Sequence, residues 1–236
     1  MSSTPWAFWR LATFCDPIQL GPVTRFNSVV LDVDSTLSGV EGIDWLASLR
    51  GAEVEAWSGS LTARAMEGLI PIETVYGERM GVVKPTLSEI QELSTVYIDR
   101  VAAGAREALA ELREHGVELV MVSGGLRQAI LPLAKELGVR EERVHAVSVF
   151  FDTHGEYAGF DEHSLLTRQN GKRVTVKEMD LKGPVLAVGD GMTDCEMRPA
   201  VDSFAAFTGF MRRDPVVERA DYVIDNFDQL RALVLE

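Results

Sequence analysis

The sequence predicts an α/β fold in which a parallel sheet is covered on both faces, with a helical insertion and a small β-hairpin attached. Three observations carry that expectation. Short runs of Val, Ile, Leu, Phe and Ala alternate with amphipathic helical patterns, which is the signature of strands joined by crossover helices. Some 65 residues between the first two strands carry only helical patterns, too many for a simple crossover. Aromatic, strand-like residues flank Asp152-Thr153-His154-Gly155-Glu156, which reads as a hairpin turning near Gly155.

The strand signals fall at residues 28–31, 118–122, 144–151 and 185–188. Their near-continuous apolar character suits strands buried on both faces. Ala105, Ala108, Leu109 and Leu112 follow the i, i+3, i+4, i+7 spacing of one helix face, as do Leu126, Ile130, Leu133 and Leu137 after the second strand. Pro132 falls inside that second helix, where it removes a hydrogen bond at a cost of about 3 kcal/mol, so a kink or a late start is expected. Within the insertion, helices are expected at 41–50, 53–66, 72–80 and 86–100, the last opened by a capping box of Thr86 with Glu89. The expected division is an N-terminal extension over 1–25, a core over 26–36 and 104–236 with a hairpin flap at about 150–165, and a helical cap over 37–103.

Composition narrows the class of function. At 236 residues, 46% hydrophobic and 25% charged, the chain suits an ordered globular protein, and no apolar run approaches the roughly 20 residues that span a membrane. The net charge of −13 disfavours nucleic acid and anionic membranes as partners. A small anionic substrate stays open if cations gather around it. Residues 1–26 show no basic n-region or long apolar core, and Cys15 and Cys195 alone make no disulfide framework, so a cytoplasmic setting is expected. The four histidines lack zinc-site spacing.

The chemistry is expected where the strands end. Asp32-Val33-Asp34-Ser35-Thr36 follows the first strand, and alternation would turn both carboxylates to one side. Two such acids fit a hard cation such as Mg²⁺, or a proton held unequally between them, or simply a polar turn. Ser123-Gly124-Gly125 after the second strand reads as an anion cradle at the start of a helix, or as an ordinary N-cap. Gly189-Asp190-Gly191-Met192-Thr193-Asp194 follows the strand at 185–188 and offers carboxylates at a turn. Lys172, taken alone, reads as a solvated lysine.

In that order, Asp-x-Asp-x-Thr, Ser-Gly-Gly, Lys and Gly-Asp-Gly-x-x-Asp, the set resembles the haloacid dehalogenase superfamily. Segments 32–47, 62–68, 122–127, 155–161 and 189–196 resemble its phosphoserine phosphatase branch, a likeness covering about 28–236. The resemblance implies a Rossmann-like core and a Mg²⁺-dependent phosphomonoesterase acting through an aspartyl-phosphate, with O-phospho-L-serine as substrate in serine biosynthesis. It further implies Asp32 as nucleophile and Asp34 as general acid and base. Mg²⁺ would be held by Asp32, the Asp34 backbone carbonyl and Asp190, and the phosphate by Ser123, Gly124 and Lys172. Glu41 matches the position facing the amino group of serine and Arg79 the one facing its carboxylate. Ser35, Met66, Gly125, Thr193 and Arg213 match further substrate contacts, and Asp194 supports the metal shell or Lys172.

The chain departs from the family pattern at Glu67, where glycine is common, at Ile72, where an aromatic often stands, and in a short segment from Lys172 to Val185. The first two keep another small phosphomonoester, phosphoethanolamine or phosphohomoserine, as an alternative substrate, or phosphoryl transfer to an alcohol. A phospho-acceptor signalling module would also use an Asp, Ser or Thr and Lys around Mg²⁺, though Asp34 and the large cap speak against it. An Asp-x-Asp glycosyltransferase leaves the two glycine motifs without a joint role. Oligomeric state is not legible.

Overall fold

The computed structural model describes residues 24–236. The expectations for Cys15 and for residues 1–23 lie outside that range. Among the described residues eight strands occur in chain order: β1 (Ser28–Leu31), β2 (Glu118–Leu126), β3 (Val144–Val147), β4 (Val149–Phe151), β5 (Tyr157–Phe160), β6 (Val185–Gly189), β7 (Ser203–Phe207) and β8 (Tyr222–Ile224). Six form one parallel sheet in the order β3-β2-β1-β6-β7-β8, and β4 with β5 forms a separate antiparallel hairpin. All four residues of β1 are buried, which a position between β2 and β6 with helices on both faces requires. The sheet's connection reverses direction about β1, so the C-terminal ends of β1, β2 and β6 open on one crevice.

Two strand boundaries differ from expectation. β2 does not end at Val122: it continues through Ser123, Gly124 and Gly125 to Leu126. Its register against β3 jumps from Val122↔His145 to Leu126↔Val147, so four steps of β2 oppose two of β3. Two consecutive glycines are what let a strand bulge this way. Ser123 and Gly124 therefore sit on an irregular strand end, not at the start of a helix. The apolar run at 144–151 divides at Ser148, its first half joining the sheet and its second half the hairpin.

Four helices fill the insertion: α1 (Gly42–Ser48), α2 (Ala52–Met66), α3 (Ile72–Val83) and α4 (Leu87–Asp99). The Thr86 capping box is formed, with Glu89 N–H donating to Thr86 Oγ1 at 3.3 Å and Thr86 N–H to Glu89 Oε2 at 2.8 Å. Arg50 ties the α3 end to α4 by donating to the Val83 carbonyl and, bidentate, to Glu89. The insertion meets the hairpin through Leu87 N–H donating to the Gly155 carbonyl at 2.9 Å and through the Tyr76 and Phe160 rings, 5.3 Å apart.

The core continues with α5 (Ala105–Glu114), α6 (Arg127–Glu136), α7 (Gly171–Lys177), α8 (Met192–Cys195), α9 (Asp214–Val217) and α10 (Phe227–Leu235). α6 starts without delay five residues before Pro132, which lies on its exposed face where water can reach the freed carbonyl. Phe207 on β7 packs against Phe227 of α10, ring centroids 5.4 Å apart, and Phe204 on the same strand is fully buried. α7 begins under a tight constraint: a Cβ on Gly171 would stand 1.7 Å from the Leu165 carbonyl oxygen, so only glycine lets Lys172 enter the sheet crevice at this point.

Candidate active site

Asp32 leaves the end of β1 buried, and Lys172 Nζ, from the first turn of α7, donates to its Oδ1 at 2.6 Å. The same ammonium donates to Asp194 Oδ1 at 2.6 Å. Lys172 is only 6% exposed, so it is the opposite of a solvated lysine: a buried cation between two buried carboxylates. Asp194 also accepts the Gly191 N–H at 2.9 Å, and so orients Lys172 and caps its own turn at once. Burial pushes the Asp32 carboxyl well above the usual carboxylate range and the Asp194 charge adds to the rise, while Lys172 pulls it back. Lys172 is itself held above the usual lysine value, because the attraction of Asp194 and Asp32 outweighs its desolvation.

Asp34, two residues on, turns its carboxylate toward the insertion. Oδ1 accepts the Gly42 N–H at 2.6 Å and the Tyr97 hydroxyl at 2.7 Å, and Oδ2 accepts from Ser123 Oγ at 3.2 Å. Burial raises this carboxyl, and the Tyr97 and Gly42 donors oppose the rise. Ser123 Oγ in turn accepts the Gly125 N–H at 2.9 Å. From the β6 end, Asp190 accepts from Thr36 Oγ1 at 3.2 Å and is in close contact with the Arg213 guanidinium.

One cavity between the core and the insertion brings together Asp32, Asp34, Ser123, Gly124, Lys172 and Asp190 with Glu41, Met66, Arg79, Gly125 and Thr193. Ser35, Asp194 and Arg213 stand behind this wall. Ser35, held at a positive φ of 53°, donates to Glu41 Oε1 at 2.8 Å. Arg213 reaches both Asp190 and, at 3.7 Å, Glu41. Arg79 is 4% exposed; its Nε donates to Ser58 Oγ at 3.0 Å and its Nη2 to Asp44 Oδ1 at 2.7 Å, which leaves Nη1 without a protein acceptor among the described residues. Glu67 is exposed at the end of α2 and does not line the cavity, whereas Ile72 does.

Sequence reasoning missed several residues in and behind the cavity wall. Tyr76, whose hydroxyl donates to the Gly124 carbonyl at 2.9 Å, Tyr97 behind it and Arg168 in the wall belong to no sequence motif. Asp44, which accepts from Ser58, Thr62 and Arg79, gave only the weak signal of an acid in a helix's first turn.

Asp32, Asp190 and Asp194 each offer an oxygen within 4.8 Å of the others, the metal-ligating group found among the described residues. All are buried, and among the described residues the three carboxylates are in contact with two cations, Lys172 and Arg213. Three hard oxygen donors with surplus negative charge fit a divalent cation.

Over residues 20–202 the chain matches the haloacid dehalogenase-like hydrolases. It is 36% identical to the chloroplastic phosphoserine phosphatase of Arabidopsis thaliana, over 86% of this chain and 70% of that one, and 34% identical to human phosphoserine phosphatase, over 86% and 91%. A phosphoserine phosphohydrolase-like protein from Francisella tularensis superposes with a TM-score of 0.81 at 25% identity, covering 88% of this chain and 99% of that one. A phospho-aspartyl intermediate analogue of phosphoserine phosphatase superposes with a TM-score of 0.71 at 26% identity, covering 85% and 93%.

Proposed function

The chain belongs to the haloacid dehalogenase-like hydrolase family, and from that premise we propose that it is a Mg²⁺-dependent phosphatase hydrolysing O-phospho-L-serine to L-serine and phosphate. The carrying observation is that Asp32, Asp34 and Lys172 share one cavity wall with Glu41 and Arg79, placing reaction groups and both charges needed for a zwitterion around one space.

Asp32 attacks phosphorus to form an aspartyl-phosphate, dividing one hard step into two. Asp34 gives a proton to the departing serine oxygen and later takes one from the water that attacks the aspartyl-phosphate. Lys172, Ser123 Oγ and the Gly124 N–H hold the phosphoryl oxygens against the charge that builds up. When bound by Asp32, Asp190 and the Asp34 carbonyl, Mg²⁺ supplies charge neutralisation between the phosphate and its attacking carboxylate. Asp194 positions Lys172, and Arg213 holds Asp190 and Glu41 together. Arg79 Nη1 takes the substrate carboxylate and Glu41 its ammonium, while Ser35, Met66, Gly125 and Thr193 shape the remaining wall. Residues 37–103 act as a cap and about 150–165 as a flap on the core of 26–36 and 104–236, which excludes water during transfer. The setting is cytoplasmic, supported by the scarcity of cysteine; among the described residues no helix is long and apolar enough to cross a membrane.

The test is phosphate release, with and without Mg²⁺, from L-phosphoserine, phosphoethanolamine, phosphohomoserine and an aryl phosphate. Phosphoserine is expected to lead in kcat/KM by on the order of 10²-fold, because phosphoethanolamine has no carboxylate to accept from Arg79 Nη1. Equal rates on phosphoethanolamine would move Arg79 and Glu41 to another substrate. The outward position of Glu67 removes the charge argument for phosphoethanolamine, and Ile72 alone still distinguishes this wall from the family pattern.

Glu41 adds a pH signature. Burial, and then the Asp34 charge, push its carboxyl up to about 7 against the Ser35 hydrogen bond. Only the ionised form attracts an ammonium, and kcat/KM reports the free enzyme. The kcat/KM for phosphoserine is therefore expected to rise with pH through about 7. Glu41→Gln should remove that limb, and an amine-free phosphoester, which shares the phosphate's own ionisation, should never show it.

A further inference from the structure

Tyr97, fully buried on α4, crosses from the insertion to the end of β1. Its hydroxyl stands 2.7 Å from Asp34 Oδ1 and has no other acceptor among the described residues, so its proton points to that oxygen. The Gly42 N–H, at the first turn of α1, donates to the same Oδ1 at 2.6 Å. A carboxylate oxygen has two in-plane lone pairs, and both on Oδ1 are thus engaged. Oδ2 faces the other way, 3.2 Å from Ser123 Oγ, on the side of the cavity where Ser123 and Gly124 stand. The contact is built for this pair of residues: a Cβ on Gly42 would lie 2.1 Å from the Tyr97 oxygen.

We propose that Tyr97 is a positioning residue for proton transfer, which with the Gly42 N–H fills Asp34 Oδ1 and confines the transferable proton to Oδ2. The inference rests on the reading of Asp34 as general acid and base. In the first step the P–O bond to the leaving group breaks as the bond from Asp32 to phosphorus forms, and the Oδ2 proton passes to the departing oxygen. In the second, Oδ2 receives a proton from water as the water–phosphorus bond forms and the Asp32–phosphorus bond breaks. Tyr97 keeps its own proton throughout. Without its hydroxyl, the carboxyl can rotate and carry its proton on the oxygen turned away from the substrate.

The experiment compares kcat/KM of Tyr97→Phe on phosphoserine, whose alkoxide needs a proton to leave, and on 4-nitrophenyl phosphate, whose phenolate leaves without one. We expect a loss of about tenfold on phosphoserine and less than about twofold on the aryl ester. Gly42→Ala, which displaces the hydroxyl from the other side, should show the same ester-selective loss if Tyr97→Phe does not fold. Equal losses on both esters, or none on either, would overturn the proposal. Asp34→Asn separates the two layers: if it spares the aryl ester while Tyr97→Phe does not, Tyr97 alone is misassigned, and if it cripples both esters alike, the reading of Asp34 fails.

Discussion

Asp32→Asn is expected to lower kcat for phosphoserine by on the order of 10⁴-fold or more, the scale on which removal of a nucleophile abolishes covalent catalysis. The fold should survive it. In the native chain, burial and the neighbouring Asp194 raise the Asp32 carboxyl, so its ionised form weighs against folding. That burden grows as pH rises from the unfolded carboxylate value through the raised folded value. An amide carries no such charge, while Lys172 keeps Asp194 as its partner. The thermal midpoint of Asp32→Asn should therefore match or exceed that of the native chain at pH 8, with the difference shrinking at pH 5. A variant that is inactive because it is unfolded would show the reverse.

Lys172→Met should instead strike both stability and activity. It removes the ammonium that donates to Asp32 and Asp194 at 2.6 Å each and strands two carboxylates in the interior. Breaking a buried pair from one side costs about 3–5 kcal/mol. For a chain of this size that is a fall of roughly 10 °C in thermal midpoint. The loss should be greatest at high pH and shrink as pH falls through the raised Asp32 value, where protonation relieves the repulsion. In the native chain the Lys172 pKa is raised, so its stabilisation persists through the neutral range and is lost only as pH rises through that alkaline value. Losing a phosphate-binding cation should also cost about 10²–10³-fold in kcat. Added Mg²⁺ should recover part of the midpoint, since the three-carboxylate cluster would gain the positive charge it lacks, and calorimetry with and without the metal checks this.

Lys172 also marks where the sequence stops being legible. A lysine inside Asn170-Gly171-Lys172-Arg173 carries no local sign of burial; only the topology, which sets the start of α7 against the end of β1, makes it the partner of Asp32. The first strand was readable from its short apolar run, the two aspartates from their place at its end, and the last inserted helix from its capping box. β7 and β8 were not. Ser203–Phe207 is mostly small and aromatic residues and Tyr222–Ile224 is three residues long, too short for periodicity to rise above its surroundings. Ser123, Gly124 and Gly125 were readable as a site but not as a bulged strand, because a Ser-Gly-Gly run is equally at home at a helix cap. Tyr97 and Asp44 escaped for a related reason: each earns its place from a partner 63 or 35 residues away, at Asp34 and Arg79, and local pattern cannot reveal such contacts.

The covalent claim on Asp32 is tested most directly by mixing the protein with ³²P-labelled phosphoserine and Mg²⁺, quenching in acid within milliseconds, and mapping the labelled peptide. Label that appears before phosphate release, on the peptide carrying Asp32 and absent from Asp32→Asn, is the expected result. Release of labelled phosphate at full rate with no protein-bound label, or label that persists in Asp32→Asn, would contradict it.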